Sequence, residues 1–366
     1  MPDNGARDLE SKTTRDAAPE AGAAPQPSRK RRQPVTGWLG VVSGRWFVKG
    51  AFFAVFLVSV VQLLMFERWA RGEGPYVARP EAVAGLLPIG HFTSFFGWVR
   101  GGGWDVYLPA GLVIIIGALT LSLVFKRGFC AWVCPVGTVW EACAALGRRV
   151  MGRNVRVWRA LDLLGRSLRY LIAGAFMVTL LLVPVSEAVA FRQLPYMWIA
   201  DLKIIHLMSE PAWIATALVA VVLSFLFGPV WCRYACPLGG LYSAVGVLSP
   251  CTVERDEETC IHCRRCSKVC HAFVEPEKVG RVWAPECDGC MDCVKVCPVE
   301  GCLEAKAFSR VRIAAWAWPL LAVLLWFVIW GFAHALGQWR SPIPPEAFGE
   351  VINSGLIEQR TRGFFE

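Results

Sequence analysis

A chain of 366 residues that is 55% hydrophobic and only 18% charged falls well short of the roughly 25% charged residues usual in soluble domains, which excludes a purely soluble architecture. Its 17 Trp and 21 Phe agree, since aromatic rings gather where one end is dry and the other wet, as at bilayer edges. The net charge of +9 would suggest nucleic acid in a soluble chain; here it first reports where cations flank apolar runs, and no nucleic acid is expected.

Residues 1–36 mix Asp, Glu, Lys, Arg, Ala and Pro and carry too little apolar surface to offset ordering entropy, so they read as a disordered cytoplasmic tail. The basic run Arg29, Lys30, Arg31 and Arg32, followed by Arg45 and Lys49, flanks a first apolar stretch at residues 47–66. A cleaved signal peptide is not expected, because the run is too long and starts too far into the chain. Four more stretches, at residues 106–125, 170–190, 213–230 and 313–336, come close to or exceed the roughly 20 residues that cross about 30 Å of hydrocarbon. Cations are dense after the second span, with Lys126, Arg127, Arg148, Arg149, Arg153, Arg156, Arg159, Arg166 and Arg169, and sparse between the third and fourth, with Arg192 and Lys203. The rule that cytoplasmic loops are the positive ones then places the N-terminus, residues 126–169 and residues 231–312 inside a bacterial inner membrane, and the last residues outside. The expected domains are a four-helix membrane domain at 37–249, a ferredoxin domain at 250–310, a fifth helix at 311–337 and a short outer tail at 338–366.

Cysteine spacing carries the chemistry. Cys260, Cys263, Cys266 and Cys270 follow a Cys-x2-Cys-x2-Cys-x3-Cys pattern, and Cys287, Cys290, Cys293 and Cys297 repeat it before Pro298. Two such runs are the signature of a bacterial-type module holding two [4Fe-4S] clusters, because short spacings let one loop wrap three corners of a cube while the fourth ligand crosses from the other run. One cluster would use Cys260, Cys263, Cys266 and Cys297, the other Cys287, Cys290, Cys293 and Cys270. Disulfides do not suit a segment placed in a reducing compartment, and zinc favours looser spacing. Here the first run has His271 where a proline usually follows the fourth cysteine.

A second motif occurs twice, 102 residues apart: Cys130, Cys134 and Pro135, then Cys232, Cys236 and Pro237, each completed by a glycine, Gly137 or Gly239. Each follows an apolar span, which reads as a duplicated two-helix unit. A proline at a first helical turn places Cys134 and Cys236 at helix N-termini, where the dipole favours thiolate. Paired by pseudo-twofold packing, the four thiols would form an additional metal site; as separate pairs they would be redox dithiols. Cys143, Cys251 and Cys302 follow no spacing rule and read as small apolar residues. His91, His206 and His334 fall on the outer side and, with Asp201, Glu210 and Glu187, form a candidate quinol site, where a polar group must accept the hydroxyl proton as an electron leaves.

The combination of the duplicated Cys-x3-Cys-Pro with the tandem cluster motif resembles the NapH/MauN family of membrane ferredoxin-type proteins over about residues 45–310, and more distantly the NosR and FixG/CcoG types. Unlike the NosR type, the chain has no room between spans 1 and 2 for an outer flavin-binding domain; like the FixG/CcoG type, it has a fifth span after the cluster motifs. The expected fold is an all-α polytopic membrane protein of about five transmembrane helices in duplicated two-helix units, with a small α+β 2[4Fe-4S] ferredoxin domain. The resemblance implies the electron-transfer component of a quinol dehydrogenase system, passing electrons between quinone/quinol and ferredoxin or cytochrome-type carriers toward a respiratory or periplasmic reductase. The alternative it implies is an assembly factor that uses thiols and clusters to mature a copper or other metalloenzyme.

Overall fold

The computed structural model describes residues 38–86 and 88–357, so the tail expected at 1–36 lies outside the described residues. Helix α1 (Trp38–Ala70) carries an apolar stretch, Gly44–Ala70, long enough to cross a bilayer. A 3-10 turn (Glu81–Leu86) and α2 (Pro88–Val99) lead to α3 (Pro109–Val124). At 16 residues α3 is shorter than the expected span 106–125, because Lys126 turns the chain with φ 61°. It packs against α2 and is buried almost all round, at Leu112, Ala118 and Leu121 among others, as suits a helix that is apolar on every face.

Helices α4 (Gly128–Trp132) and α5 (Pro135–Met151) follow, and Gly152 ends α5 in the left-handed conformation, φ 76°, a position that favours glycine. Helix α6 (Arg159–Leu182) starts well before the expected residue 170, because Asp162, Arg166 and Arg169 in its first turns find polar partners on other elements; Pro184 follows its end. Next come α7 (Val185–Gln193), α8 (Pro195–Trp198), α9 (Ala200–Ser209) and α10 (Pro211–Phe227), with a 75° bend between the last two where Pro211 enters. A π-helical turn (Trp231–Ala235) and α11 (Pro237–Val247) complete this part, α11 lying on α3 and α6.

The following segment alternates β1 (Cys251–Arg255), α12 (Arg265–Val269), α13 (Asp292–Val296), β2 (Leu303–Ala307) and β3 (Val311–Ile313). The strands form one antiparallel sheet in the order β1-β2-β3, with Cys251 opposite Ala307 and Ala305 opposite Ile313. Strand β3 therefore claims the first residue of the expected fifth span, which begins as α14 (Ala317–Ala335). Helices α1, α6 and α14 are each long and apolar enough to cross a membrane, and the bent α9 and α10 make a fourth candidate; the protein is a membrane protein with three or four such spans among the described residues.

One continuous apolar core joins the small sheet to the membrane helices: Leu121, Phe125, Trp132 and Trp318 pack with Cys266, Val294, Cys297 and Leu303. Trp318 is fully buried with its ring 5.3 Å from that of Phe125, so it seals the joint between the two parts instead of marking a bilayer edge. The expected short outer tail is folded where described: α15 (Pro345–Asn353) buries Phe348 and Ile352 against Leu63 and Phe66 of α1.

Candidate metal centres

The two cluster runs adopt the same backbone path. The residue before the second cysteine is left-handed in both, His262 at φ 50° and Gly289 at φ 70°, and so is the residue after it, Arg264 at φ 59° and Met291 at φ 65°. Left-handed histidine, arginine and methionine are strained and persist where the surroundings require them. These turns curl each loop around its own thiols before α12 and α13 begin.

The structure brings thiols of the two runs together. Cys260, Cys263, Cys266 and Cys297 line one cavity, joined by Cys302. Cys293 lies in electrostatic reach of Cys287 and Cys270, and also of Cys266, while Cys290 in turn feels Cys293, so the second group adjoins the first. Cys263 is exposed, which opens the first group to the surface, while Cys266 and Cys297 of the same group are buried, as is Cys290 of the second. Burial pushes the Cys287 thiol up to about 11 and the Cys270 thiol up to about 12. Thiols so placed ionise when a cationic core compensates them, which is the chemistry of an iron-sulfur site. All fifteen cysteines are free of disulfides.

The Cys-x3-Cys-Pro copies also share local geometry. Cys134 and Cys236 are the N-caps of α5 and α11, with φ, ψ of −64°, 118° and −73°, 110°. The Gly137 N–H donates to Cys134 Sγ at 3.4 Å and the Gly239 N–H to Cys236 Sγ at 3.3 Å. The two copies meet: Cys232 lies in electrostatic reach of Cys236, Cys134 and Cys130. The helix N-terminus was expected to favour thiolate, but burial outweighs the amide and pushes Cys134 up to about 12. A low-pKa dithiol needs the opposite, so four convergent half-buried thiols suit a shared metal centre better than two redox pairs. The glycines are where the backbone closes in, since a Cβ at Gly137 would lie 3.1 Å from the Cys130 carbonyl and one at Gly239 3.3 Å from that of Cys232. Beside this group the Nε of Arg127 and of Arg169 have no partner among the described residues. Unpartnered buried donors around four thiols fit an anionic, thiolate-ligated core.

Several residues that spacing did not single out connect this group to the second cluster loop. Arg45 and Lys49, expected as a membrane flank, are 2% and 1% exposed and hold Glu141 of α5, with Arg45 Nη1 2.6 Å from Glu141 Oε1. Arg45 also reaches Asp292 at 3.0 Å and Asp288 at 3.7 Å. His271 Nε2 is 2.7 Å from Asp288 Oδ2 and its Nδ1 is 3.7 Å from Glu141. Burial opposes ionisation of Glu141, yet Arg45 and Lys49 hold its carboxyl well below the usual range, and His271 with Arg45 and Arg127 does the same for Asp288 against its own burial. Cys130, Cys232, Glu141, His271 and Asp288 line one cavity between the two thiol groups. The sequence signals were a lone acid in an apolar-rich helix and a histidine in a proline's place.

The three candidate histidines do not converge. His91 is 2% exposed on α2, its ring filling the space beside Gly111, and its Nε2 has no partner among the described residues. It shares a polar cluster with Asp105, Arg79 and Asp201. His206 instead pairs with Glu67 at 3.0 Å, and His334 is exposed beside Trp330, ring centroids 5.5 Å apart. Of the unspaced cysteines, Cys251 sits in β1 and Cys302 beside Cys297.

A family described as a 4Fe-4S binding domain matches residues 107–154 and again 210–250, the two segments that carry Cys-x3-Cys-Pro, and a 4Fe-4S dicluster domain matches residues 252–298. The chain is 30% identical over 336 residues to YccM of Escherichia coli (strain K12), covering 87% of this chain and 92% of that one. It is 28% identical over 209 residues to the ferredoxin-type protein NapH of the same organism, covering 52% of this chain and 67% of that one. With the methylamine utilization ferredoxin-type protein MauN of Paracoccus denitrificans (strain Pd 1222) it shares 26% identity over 240 residues, 63% of this chain and 69% of that one. No solved structure matches.

Proposed function

Since the chain belongs to the NapH/MauN/NosR-type membrane ferredoxin family and is an iron-sulfur electron-transfer protein of the membrane, we propose that it passes electrons between the quinol pool and a respiratory or periplasmic reductase chain through three centres. Two are [4Fe-4S] clusters, on Cys260, Cys263, Cys266 and Cys297 and on Cys270, Cys287, Cys290 and Cys293. The third is held by Cys130, Cys134, Cys232 and Cys236, contributed by a duplicated two-helix unit. The observation that carries the proposal is the row of thiol groups: the duplicated motifs share a cavity with Asp288, next to Cys287, and Cys293 in turn faces Cys266. The clusters, when bound, supply one-electron steps that can split the two electrons of a quinol.

The chain's own residues do the rest. Burial of the inner thiols excludes water, the left-handed loop residues fix ligand directions, and exposed Cys263 marks where a soluble ferredoxin or cytochrome-type carrier would approach. Of the histidines, His91 is best suited to take a quinol hydroxyl proton, because its buried Nε2 lacks a partner among the described residues. The loop charges support a reading in which the ferredoxin module lies on the cytoplasmic side of a bacterial inner membrane and α3 serves as the second of five spans.

Purified full-length protein in detergent should contain about twelve iron per chain, three clusters of four, and a Cys232→Ser variant about eight. A quinol analogue should bleach the cluster absorption of the wild type and fail to bleach that of His91→Ala at unchanged iron content. Clusters that dithionite bleaches but the quinol analogue leaves oxidised would overturn the quinol reading.

A further inference from the structure

Arg127 is 8% exposed in the short turn between α3 and α4. Its Nη1 makes one long hydrogen bond, 3.5 Å to the Glu286 carbonyl, and its Nε has no partner among the described residues. Its Nη2 lies 3.4 Å from where a Cβ on Gly239 would stand, so the guanidinium is pressed against the second Cys-x3-Cys-Pro turn. It lines the cavity that Cys130, Cys232 and Asp288 also line. The groups that act on its charge are, in decreasing order, Cys130, Asp288, Cys232 and Cys236.

A buried guanidinium with one long bond and an orphaned N–H is not accounted for by protein acceptors. Asp288 does not require it, having His271 at 2.7 Å and Arg45 at 3.7 Å. The acceptors missing from its surroundings are those an anionic thiolate-ligated core would bring. Building on the three-centre reading, we propose that Arg127 is a positioning and tuning residue for the centre on Cys130, Cys134, Cys232 and Cys236, its Nε–H donating to sulfur there, and that it sets the potential step between that centre and the neighbouring cluster.

Arginine stays protonated at any working pH, so its charge is a constant. In a low-dielectric site a fixed cation favours the form carrying one more electron. When one electron lost by one centre is gained by the other, with no bond made or broken, Arg127 biases it toward the centre it lies against. The effect is graded between the centres: three thiols of the duplicated motifs act on the charge of Arg127, whereas at Cys287 of the second cluster Lys126 comes ahead of it.

The test is a redox titration of wild type, Arg127→Gln and Arg127→Lys, followed by electron paramagnetic resonance with iron content measured in parallel. Arg127→Gln should keep about twelve iron per chain and shift the third centre's potential negative, the second cluster's less, and that of the cluster on Cys260, Cys263, Cys266 and Cys297 not at all. Arg127→Lys should recover most of the shift. Full iron content with unmoved potentials, an equal shift of all three centres, or equal loss of iron in both variants overturns the assignment. Wild-type protein with about eight iron overturns the three-centre reading and this inference with it, whereas twelve iron with no shift overturns this inference alone.

Discussion

In the ferredoxin module, thiols are gathered by loops with two residues between cysteines, bent by left-handed positions at His262, Arg264, Gly289 and Met291. In the membrane domain the four thiols come from two turns 102 residues apart, each fixed by a helix N-cap and a glycine. The first arrangement is local, and one of its groups opens to solvent at Cys263. The second exists only once α5, α6, α10 and α11 have packed, and it is compensated by arginines. Local loops can make a site before the fold is complete; a site assembled from distant turns depends on the helices around it and must carry its counter-charges with it.

The buried ion network is where the two regions are locked together, and breaking it should have the largest effect. Glu141→Gln leaves Arg45 and Lys49 buried without their common carboxylate, and removing one member of a buried pair costs about 3–5 kcal/mol. Thermal unfolding in detergent at neutral pH should show the loss. Because the folded protein holds the Glu141 carboxyl below its usual range, its contribution is present above the unfolded value of about 4.3 and fades as pH falls toward the lower folded value. The gap between wild type and variant should be constant from about pH 8 to 5 and narrow below about pH 4. A gap that widens on acidification would show that Glu141 is neutral in the fold.

A middle effect probes the distant assembly itself. A Cβ at Gly147 of α5 would land on the Phe225 carbonyl of α10, so Gly147→Ala must push apart the helices that carry the two Cys-x3-Cys-Pro copies. Overpacking of this kind costs about 1–3 kcal/mol. Iron retention divides the regions: the variant should lose the third centre's iron preferentially and keep that of the ferredoxin module. Equal loss from all three would mean that the module too depends on the α5 to α10 contact.

How much of this was legible in the sequence follows the same division. The module's proposed ligand groups come from spacing, because loops this short dictate the geometry themselves. Apolar runs located the long helices but misjudged their ends, since Arg166 and Arg169 of α6 look like loop residues until their partners Glu286 and the Cys232 carbonyl are in place. Arg45 and Lys49 read as a membrane flank for the same reason: nothing in sequence order tells a cation facing headgroups from one facing Glu141. Trp318 is of a residue type that gathers at bilayer edges, yet it is a core residue, because the module covers the end of α14. The three histidines share a predicted side of the membrane but not a site, since only tertiary packing decides that His206 goes to Glu67.

The smallest effect is the sharpest check on the local side of the comparison. His262 and Gly289 hold equivalent left-handed positions, but a Cβ at Gly289 would meet the Phe125 carbonyl at 2.8 Å, whereas His262 is exposed. At Gly289 glycine serves both the backbone angle and the docking of the module on α3; at position 262 only the angle is at stake. His262→Gly relieves about 1–2 kcal/mol of left-handed strain and returns about 0.5–1 kcal/mol through the greater freedom of the unfolded glycine. The expected net gain is about 0.5 kcal/mol, read as a slight rise in the midpoint of cluster loss on denaturant titration, with iron content and potentials unchanged. A clear loss of stability would mean that the histidine ring, and not the loop conformation, holds the first cluster run in place, and the module would then be less locally determined than its spacing implies.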